Sequence, residues 1–187
     1  MIKVIHLHQE EKELINQAIE NNRHAQHRIY QLFSSKMLSV CRQYIKDIQQ
    51  AEDLMISAFF KVFLNLKNFE HKGSFEGWIR RIMINECISY IRVQKKVTFI
   101  DDEEYFEESF NNIESQFSVD DIQFLIDSLP EGYKMVFNLY AIEGFKHHEI
   151  AQLLGISEGT SKSQLSHARK VLQQSINKLK NYENGTE

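Results

Sequence analysis

Between His147 and Leu172 the chain reads HHEIAQLLGISEGTSKSQLSHARKVL, rich in the side chains that grip phosphates and read base edges. Thr160, Lys162, Ser163, Gln164, His167, Arg169 and Lys170 offer hydroxyls, an amide, an imidazole and cations over eleven positions. Cations and hydroxyls bind phosphate oxygens, and amides and arginines pair with bases in the major groove. Such groups need a rigid element to carry them, and the spacing supplies one. Ile150, Ala151, Leu153 and Leu154 form an apolar face at helical intervals. Gly155 stands where the chain must reverse, in a left-handed conformation that only glycine takes without a Cβ clash. Ile156 plugs the corner, and Ser157 caps the next helix with its hydroxyl. That helix, over 157–174, buries Leu165, Ala168 and Leu172 and leaves the seven polar residues free. The pattern is a helix-turn-helix and points to duplex DNA. It also fits an ordinary helical hairpin with a solvated face.

A second constellation lies at 75–96. Phe75, Trp78, Ile79, Ile82 and Met83 recur at three- and four-residue steps, while Arg80, Arg81, Asn85, Arg92, Lys95 and Lys96 fall largely off that stripe. Aromatics stack on unpaired bases for about 1–3 kcal/mol each, and cations track the backbone beside them. Taken alone, the same residues also describe a core face with solvated charges opposite it.

The elements that position these groups are helices throughout. Seven glycines and one proline are few for 187 residues, and Leu, Ile, Gln, Glu and Lys abound. Apolar stripes run through 11–33, broken at 20–24, then through Met37, Leu38, Cys41, Tyr44 and Ile45. Asp47 to Gln50 interrupts them, and a helix over 51–66 follows, acidic at its start and striped by Leu54, Ala58, Phe59, Val62 and Phe63. Cys41 and Cys87 sit within helical patterns without metal-ligand spacing, as small core residues of a reduced cytoplasmic protein. The N-terminus lacks the pattern of a signal peptide, and no run approaches about 18 apolar residues, so a membrane span is not expected.

The net charge of −4 conceals segregation. Residues 97–131 hold eleven acids and no Lys or Arg, leaving 22 basic against 15 acidic residues elsewhere, a net of +7. The aperiodic part of that stretch reads as a linker, disordered or loosely docked, whose acids could mimic nucleic acid and occupy a basic surface.

The order of the pieces carries a resemblance. AEDL at 51–54, KVF at 61–63, FEGWIRRIMINECISYIR at 75–92, the acidic spacer, and LPEGYKMVFNLYAIEGFKHHEIAQLLGISEGTSKSQLSHAR at 129–169 resemble a bacterial RNA polymerase sigma factor. The likeness is to the small extracytoplasmic-function group of the sigma-70 family and covers about 20–175. It implies an all-α fold of two helical domains: domain 2 at 11–96 and domain 4, with the helix-turn-helix, at 119–180, joined by an acidic linker at 97–118. It implies no cofactor, no metal and no enzymatic activity. Glu52, Asp53 and Phe59 would bind core RNA polymerase at the clamp helices of its largest subunit, and domain 4 would meet the flap of the second-largest. Asn68, Lys72, Trp78, Arg80, Arg81, Asn85, Arg92, Lys95 and Lys96 would open and read the −10 element, with 68–72 holding a flipped base. The recognition helix, through Thr160, Lys162, Ser163, Gln164, His167, Arg169 and Lys170, would read the −35 duplex. Promoter DNA is the second partner, and an anti-sigma protein is a third that many relatives have.

Four positions depart from the family pattern. Ile56 and Ser57 stand where a Gln-Glu pair is common, Ser89 replaces an Asp, and Ser161 replaces a buried aliphatic. Two other readings fit parts of the chain. One is a stand-alone helix-turn-helix regulator binding duplex DNA as a dimer, for which the basic aromatic helix has no use. The other is a metal enzyme using His147, His148 and Glu149, which lacks any HExxH or CxxC spacing.

Overall fold

The computed structural model describes residues 2–94 and 118–183, with side chains from Glu10 onward except at Val119, Asp120 and 180–183. The linker reading of 97–117, and the sites at Lys95 and Lys96, lie outside the described residues. The described residues are helical and contain no strand. The chain divides into two compact units, Met1–Tyr90 and Ile91–Glu187.

The first unit is built on α1 (Ile2–Ile19), α2 (Arg23–Tyr44), α3 (Ile48–Asn65) and most of α4 (Phe75–Gln94), with a short 3₁₀ turn at Leu66–Asn68. The α1–α2 corner is made by Asn21 at φ +64°, a left-handed position that Asn tolerates better than other side chains. Asn22 then caps α2, its side-chain oxygen accepting from the N–H groups of His24 and Ala25. The break expected at 47–50 is itself a helix start. Asp47 accepts from the Gln50 N–H at 2.8 Å, so α3 opens at Ile48 rather than at Ala51. The interior packs Ile15, Ile29, Met37, Tyr44, Val62, Leu66, Phe75, Ile79 and Met83, all at most 1% exposed.

Both cysteines are reduced and buried in this core. A hydrogen bond with Cys41, reinforced by burial, pushes the Cys87 thiol far above its ordinary range. A thiol kept neutral this way is an inert packing group.

The second unit holds α5 (Val119–Asp127), α6 (Glu131–Phe137) running into a π turn at Asn138–Ile142, α7 (His147–Leu154) and α8 (Glu158–Glu183). Helix α8 extends nine residues past the expected end at 174. Leu125, Ile126, Leu129, Met135, Val136, Leu139, Ile150, Leu154, Leu165 and Ala168 form its core.

Part of the acidic stretch belongs to this unit. Ser118 and Asp121 form a reciprocal capping box, and hydrogen bonds from the Ser118 hydroxyl and N–H hold the Asp121 carboxyl below its usual range. Asp127 and Glu131 flank the buried Lys134, with oxygens 3.9 and 3.7 Å from its Nζ.

Candidate nucleic-acid interface

The helix-turn-helix is built from hydrogen bonds that close each end of its corner. Glu149 accepts from the Lys146 N–H at 2.8 Å, opening α7. Gly155, at φ +70°, closes it, and the N–H groups of Gly155 and Ile156 both donate to the Ala151 carbonyl. Ser157 starts α8, its Oγ accepting from the Thr160 N–H at 2.9 Å.

The buried stripe on α8 is wider than its apolar residues indicate. Thr160, Ser161, Ser163 and Gln164 are buried with Leu165 and Ala168. The expectation that Thr160, Ser163 and Gln164 stand free is therefore corrected. The Thr160 hydroxyl lies 2.8 Å from Ser157 Oγ in the cap, and Ser163 Oγ donates to the Thr160 carbonyl. Gln164, fully buried, flanks the Ser161–Leu165–Ala168 line, because a core-facing helix buries more than one row of side chains.

Lys162 and Lys170 are exposed, and Arg169 and His167 are half-buried. Aromatic contacts brace the last two: Tyr133 stacks on His167 at 5.6 Å, and the Arg169 guanidinium lies 5.7 Å from the Tyr140 ring centre. Tyr140 also stacks on His147 at 4.6 Å, and His147 Nδ1 is 2.9 Å from the hydroxyl of the fully buried Ser161. The position where the family pattern puts an aliphatic is thus satisfied by a polar contact. Burial, then the charges of Lys162 and Arg169, hold the His147 imidazole below its ordinary pKa, with Glu158 opposing them. This ring is committed to its neighbours, and among the described residues no three His, Cys, Asp or Glu converge to hold a metal.

In the first unit a cavity of about 390 Å³ opens between the loop after α3 and the start of α4. Its lining brings together four of the residues singled out in the sequence, Asn68, Lys72, Trp78 and Arg81, with Glu70 and Gly73. The loop is shaped by left-handed residues, His71 at φ +56° and Gly73 at φ +103°. Ser74 ends it, its Oγ accepting from the Gly77 N–H. An aromatic wall backs the cavity: Phe69 lies 5.6 Å from Trp78 and 5.1 Å from Phe75, and Phe75 stacks on Trp78 at 5.9 Å.

Trp78 is only partly buried, so one part of its ring belongs to this wall and another is open. Arg81 and Asn85, at i+3 and i+7, continue the line from Trp78 and are exposed, whereas Arg92 belongs to the second unit, where its guanidinium donates to the Leu153 carbonyl. Arg80 is about 100° from Arg81 around the helix, half-buried and already engaged with neighbours, so it does not share that line.

The third surface is on α3. Glu52 and Asp53 are exposed as expected, but Phe59 is not: it is 2% exposed, with Tyr30 at 5.0 Å and Phe63 at 6.1 Å. That expectation is corrected, because Phe59 lies about 100° per residue around from the solvent pole. The pole instead carries Ile56, Phe60 and Leu64, which are 56%, 64% and 60% exposed at four-residue steps in line with Glu52. The pattern that marks the core stripe does not single out this row, although its four-residue spacing is visible in the sequence. About 100° round the helix from it, Ser57 and Lys61 both bond the Glu86 carboxylate on α4.

Comparison with known proteins places two family models on this chain: "Sigma-70 region 2" over residues 29–97 and "Sigma-70, region 4" over 120–172. The ECF RNA polymerase sigma factor SigW of Bacillus subtilis is 26% identical over 183 residues, covering 90% of this chain and 97% of that protein. SigE of Mycolicibacterium smegmatis, another ECF RNA polymerase sigma factor, is 30% identical over 65% of this chain and 50% of its own length. Among solved structures, the sigma factor RpoE of Bartonella quintana, crystallised with the anti-sigma factor NepR, matches with a TM-score of 0.53 at 23% identity. The match covers 81% of this chain and 96% of that one. CnrH, in complex with the cytosolic domain of CnrY, matches at 0.52 and 18%, covering 89% and 97%. At these identities the two structures speak to the all-helical fold.

Proposed function

This chain belongs to the sigma-70 family, as one of its extracytoplasmic-function members, and from that premise we propose how its surfaces direct RNA polymerase to a promoter. Its function is that of an RNA polymerase sigma factor directing transcription. The stand-alone dimeric regulator is not favoured, since both family models match, in order, on one chain.

In our reading the first unit docks on core polymerase and captures the −10 element as single strand, and the second reads the −35 element as duplex. The observation that carries the reading is the cavity that gathers Asn68, Lys72, Trp78 and Arg81. It has room for a base, an aromatic face to stack on, and amide and cationic donors at its rim. Extruding a base from a duplex costs a few kcal/mol, which such contacts offset. Opening then follows from preferential binding to the melted form, with no covalent step. Arg81 and Asn85 extend the surface along α4, and Arg92, Lys95 and Lys96 are assigned to the same DNA.

In the second unit Lys162 and Lys170 grip phosphates, with Arg169 and His167 beside them. Thr160, Ser163 and Gln164 are assigned to holding α8 in place rather than to touching bases. For docking we assign the solvent pole of α3, Glu52, Asp53, Ile56, Phe60 and Leu64, to the clamp helices of the polymerase largest subunit. An apolar row opposite a helix's own core needs a partner to cover it. The second unit would approach the flap of the second-largest subunit. A cytoplasmic site of action and control by an anti-sigma protein are parts of the same proposal, the latter supported by the complexes in which both solved neighbours were captured.

Co-elution with bacterial core RNA polymerase on gel filtration tests the assignment. Wild type should co-elute, and an E52K/D53K variant should not. Mapping transcript ends from the holoenzyme then identifies a promoter. On a fork carrying its −10 strand unpaired, W78A should bind much more weakly while still binding core. Failure of the wild type to bind core, with tight duplex binding as a dimer, would restore the regulator reading.

A further inference from the structure

Helix α3 turns a self-complementary line of side chains to solvent. Asp53, Phe60 and Lys67 stand seven residues apart, the last in the 3₁₀ turn that continues the helix, and all three are exposed. Seven residues are nearly two full turns, so the three lie almost along the helix axis. Ile56 and Leu64, also exposed, flank Phe60 at about 40° on either side. The line is an apolar centre with an acid about 10 Å to one side and a cation about 10 Å to the other. Among the described residues the side chains of Asp53 and Lys67 have no ion-pair or hydrogen-bond partner, whereas nearby Lys61 is bonded to Glu86.

A two-fold axis requires a surface to complement itself, residue i meeting j while j meets i. Turned antiparallel about Phe60, this line does so. Asp53 faces Lys67 of the second copy at one end, and Lys67 faces Asp53 of the second copy at the other. Between them Ile56 meets Leu64, and Phe60 meets Phe60. A parallel pairing would set acid on acid and cation on cation, so the charges select the antiparallel one.

We propose that the free protein pairs with a second copy of itself through α3, antiparallel, with Phe60 on the two-fold axis. The apolar row that a single chain leaves in water is covered in the pair. Three apolar side chains and two exposed ion pairs fall well short of the about 800 Å² per partner that a stable complex buries, so the pairing is weak and reversible. The same row is assigned above to the clamp helices of polymerase. On that reading core polymerase and the second copy compete for it, and pairing shields the row until polymerase takes it. The competition rests on that assignment, whereas the pairing itself does not.

Sedimentation velocity of the full chain across the micromolar range tests the pairing. Wild type should move from monomer toward dimer as concentration rises, and back toward monomer as salt is added. F60E should stay monomeric, because it sets two carboxylates against each other on the axis. D53K and K67D should each weaken pairing about tenfold, since each turns two attractive pairs repulsive. The double variant D53K/K67D should recover wild-type association, because opposite charges again face each other at both ends. A wild type that stays monomeric throughout, or a D53K/K67D no better than either single variant, overturns the proposal. Adding core polymerase to the wild-type dimer should yield complexes with one copy per core. Two copies retained on each core would refute the polymerase assignment of α3, and the competition with it, while the charge-swap result upheld the pairing.

Discussion

His147 holds the helix-turn-helix together through a ring stacked on Tyr140 and a hydrogen bond to the fully buried Ser161. Because burial and the nearby Lys162 and Arg169 hold its pKa below the ordinary 6.5, the unfolded chain binds a proton more readily than the folded one. Stability from this site is therefore fully present above about pH 6.5 and is lost as pH falls toward the depressed folded value. Hydrogen-exchange protection of the α7–α8 amides should drop between about pH 7.5 and pH 5.5, and H147F should flatten that dependence. H147F alone should cost about 1–2 kcal/mol by stranding the Ser161 hydroxyl, and adding S161V should recover most of it. An unchanged pH profile in H147F would place the titration elsewhere. The same hydroxyl shows where sequence reading stops at this scale. Polarity alone suggests exposure, and so points Thr160, Ser163 and Gln164 at DNA, whereas a cap, a backbone acceptor and a wide buried stripe claim them. Lys162 and Lys170 do stand in solvent, as their type implies, because an ammonium is seldom buried without a partner.

At the scale of elements, neighbours in sequence part ways on α3. Phe59 packs in the core and Phe60 stands 64% exposed, one residue and about 100° apart. F59A should destabilise the first unit by about 3–5 kcal/mol, seen in its unfolding midpoint. F60E should leave that midpoint within about 0.5 kcal/mol and weaken co-elution with core polymerase. If F60E binds core as wild type does, the row of Ile56, Phe60 and Leu64 is not the docking surface. Periodicity reveals the buried stripe of α3 and so the existence of the helix, as it does for α2, α4, α7 and α8. It does not reveal a second apolar row, because a search for one stripe stops when it finds the core. Helix starts are hidden for a related reason: Asp47 is a break to a hydrophobicity pattern and a cap to the backbone. Loop conformation is legible only where a left-handed residue is forced, as at Gly155.

For the molecule as a whole the governing quantity is charge, and its segregation narrows once the structure assigns some acids. Asp121 caps α5, and Asp127 and Glu131 flank the buried Lys134, so these three answer to the fold of the second unit. The six acids Asp101, Asp102, Glu103, Glu104, Glu107 and Glu108 lie outside the described residues, and without them the chain holds 22 basic against 20 acidic residues. A tethered run of six negative charges competes with DNA phosphates for the same cations at high effective concentration. It should suppress binding by the free protein most strongly at low salt, where such competition is least screened. Replacing those six with Asn and Gln should therefore raise the affinity of the isolated protein for mixed-sequence duplex DNA, followed by fluorescence anisotropy. It should also steepen the fall of affinity with salt, since more phosphates are then engaged. Within the holoenzyme the same replacement should matter less, because on our proposal polymerase would hold residues 97–118 away from the surfaces assigned to DNA. Unchanged duplex binding by the isolated variant would mean the acids are a solvated spacer, with no part in keeping free sigma off DNA.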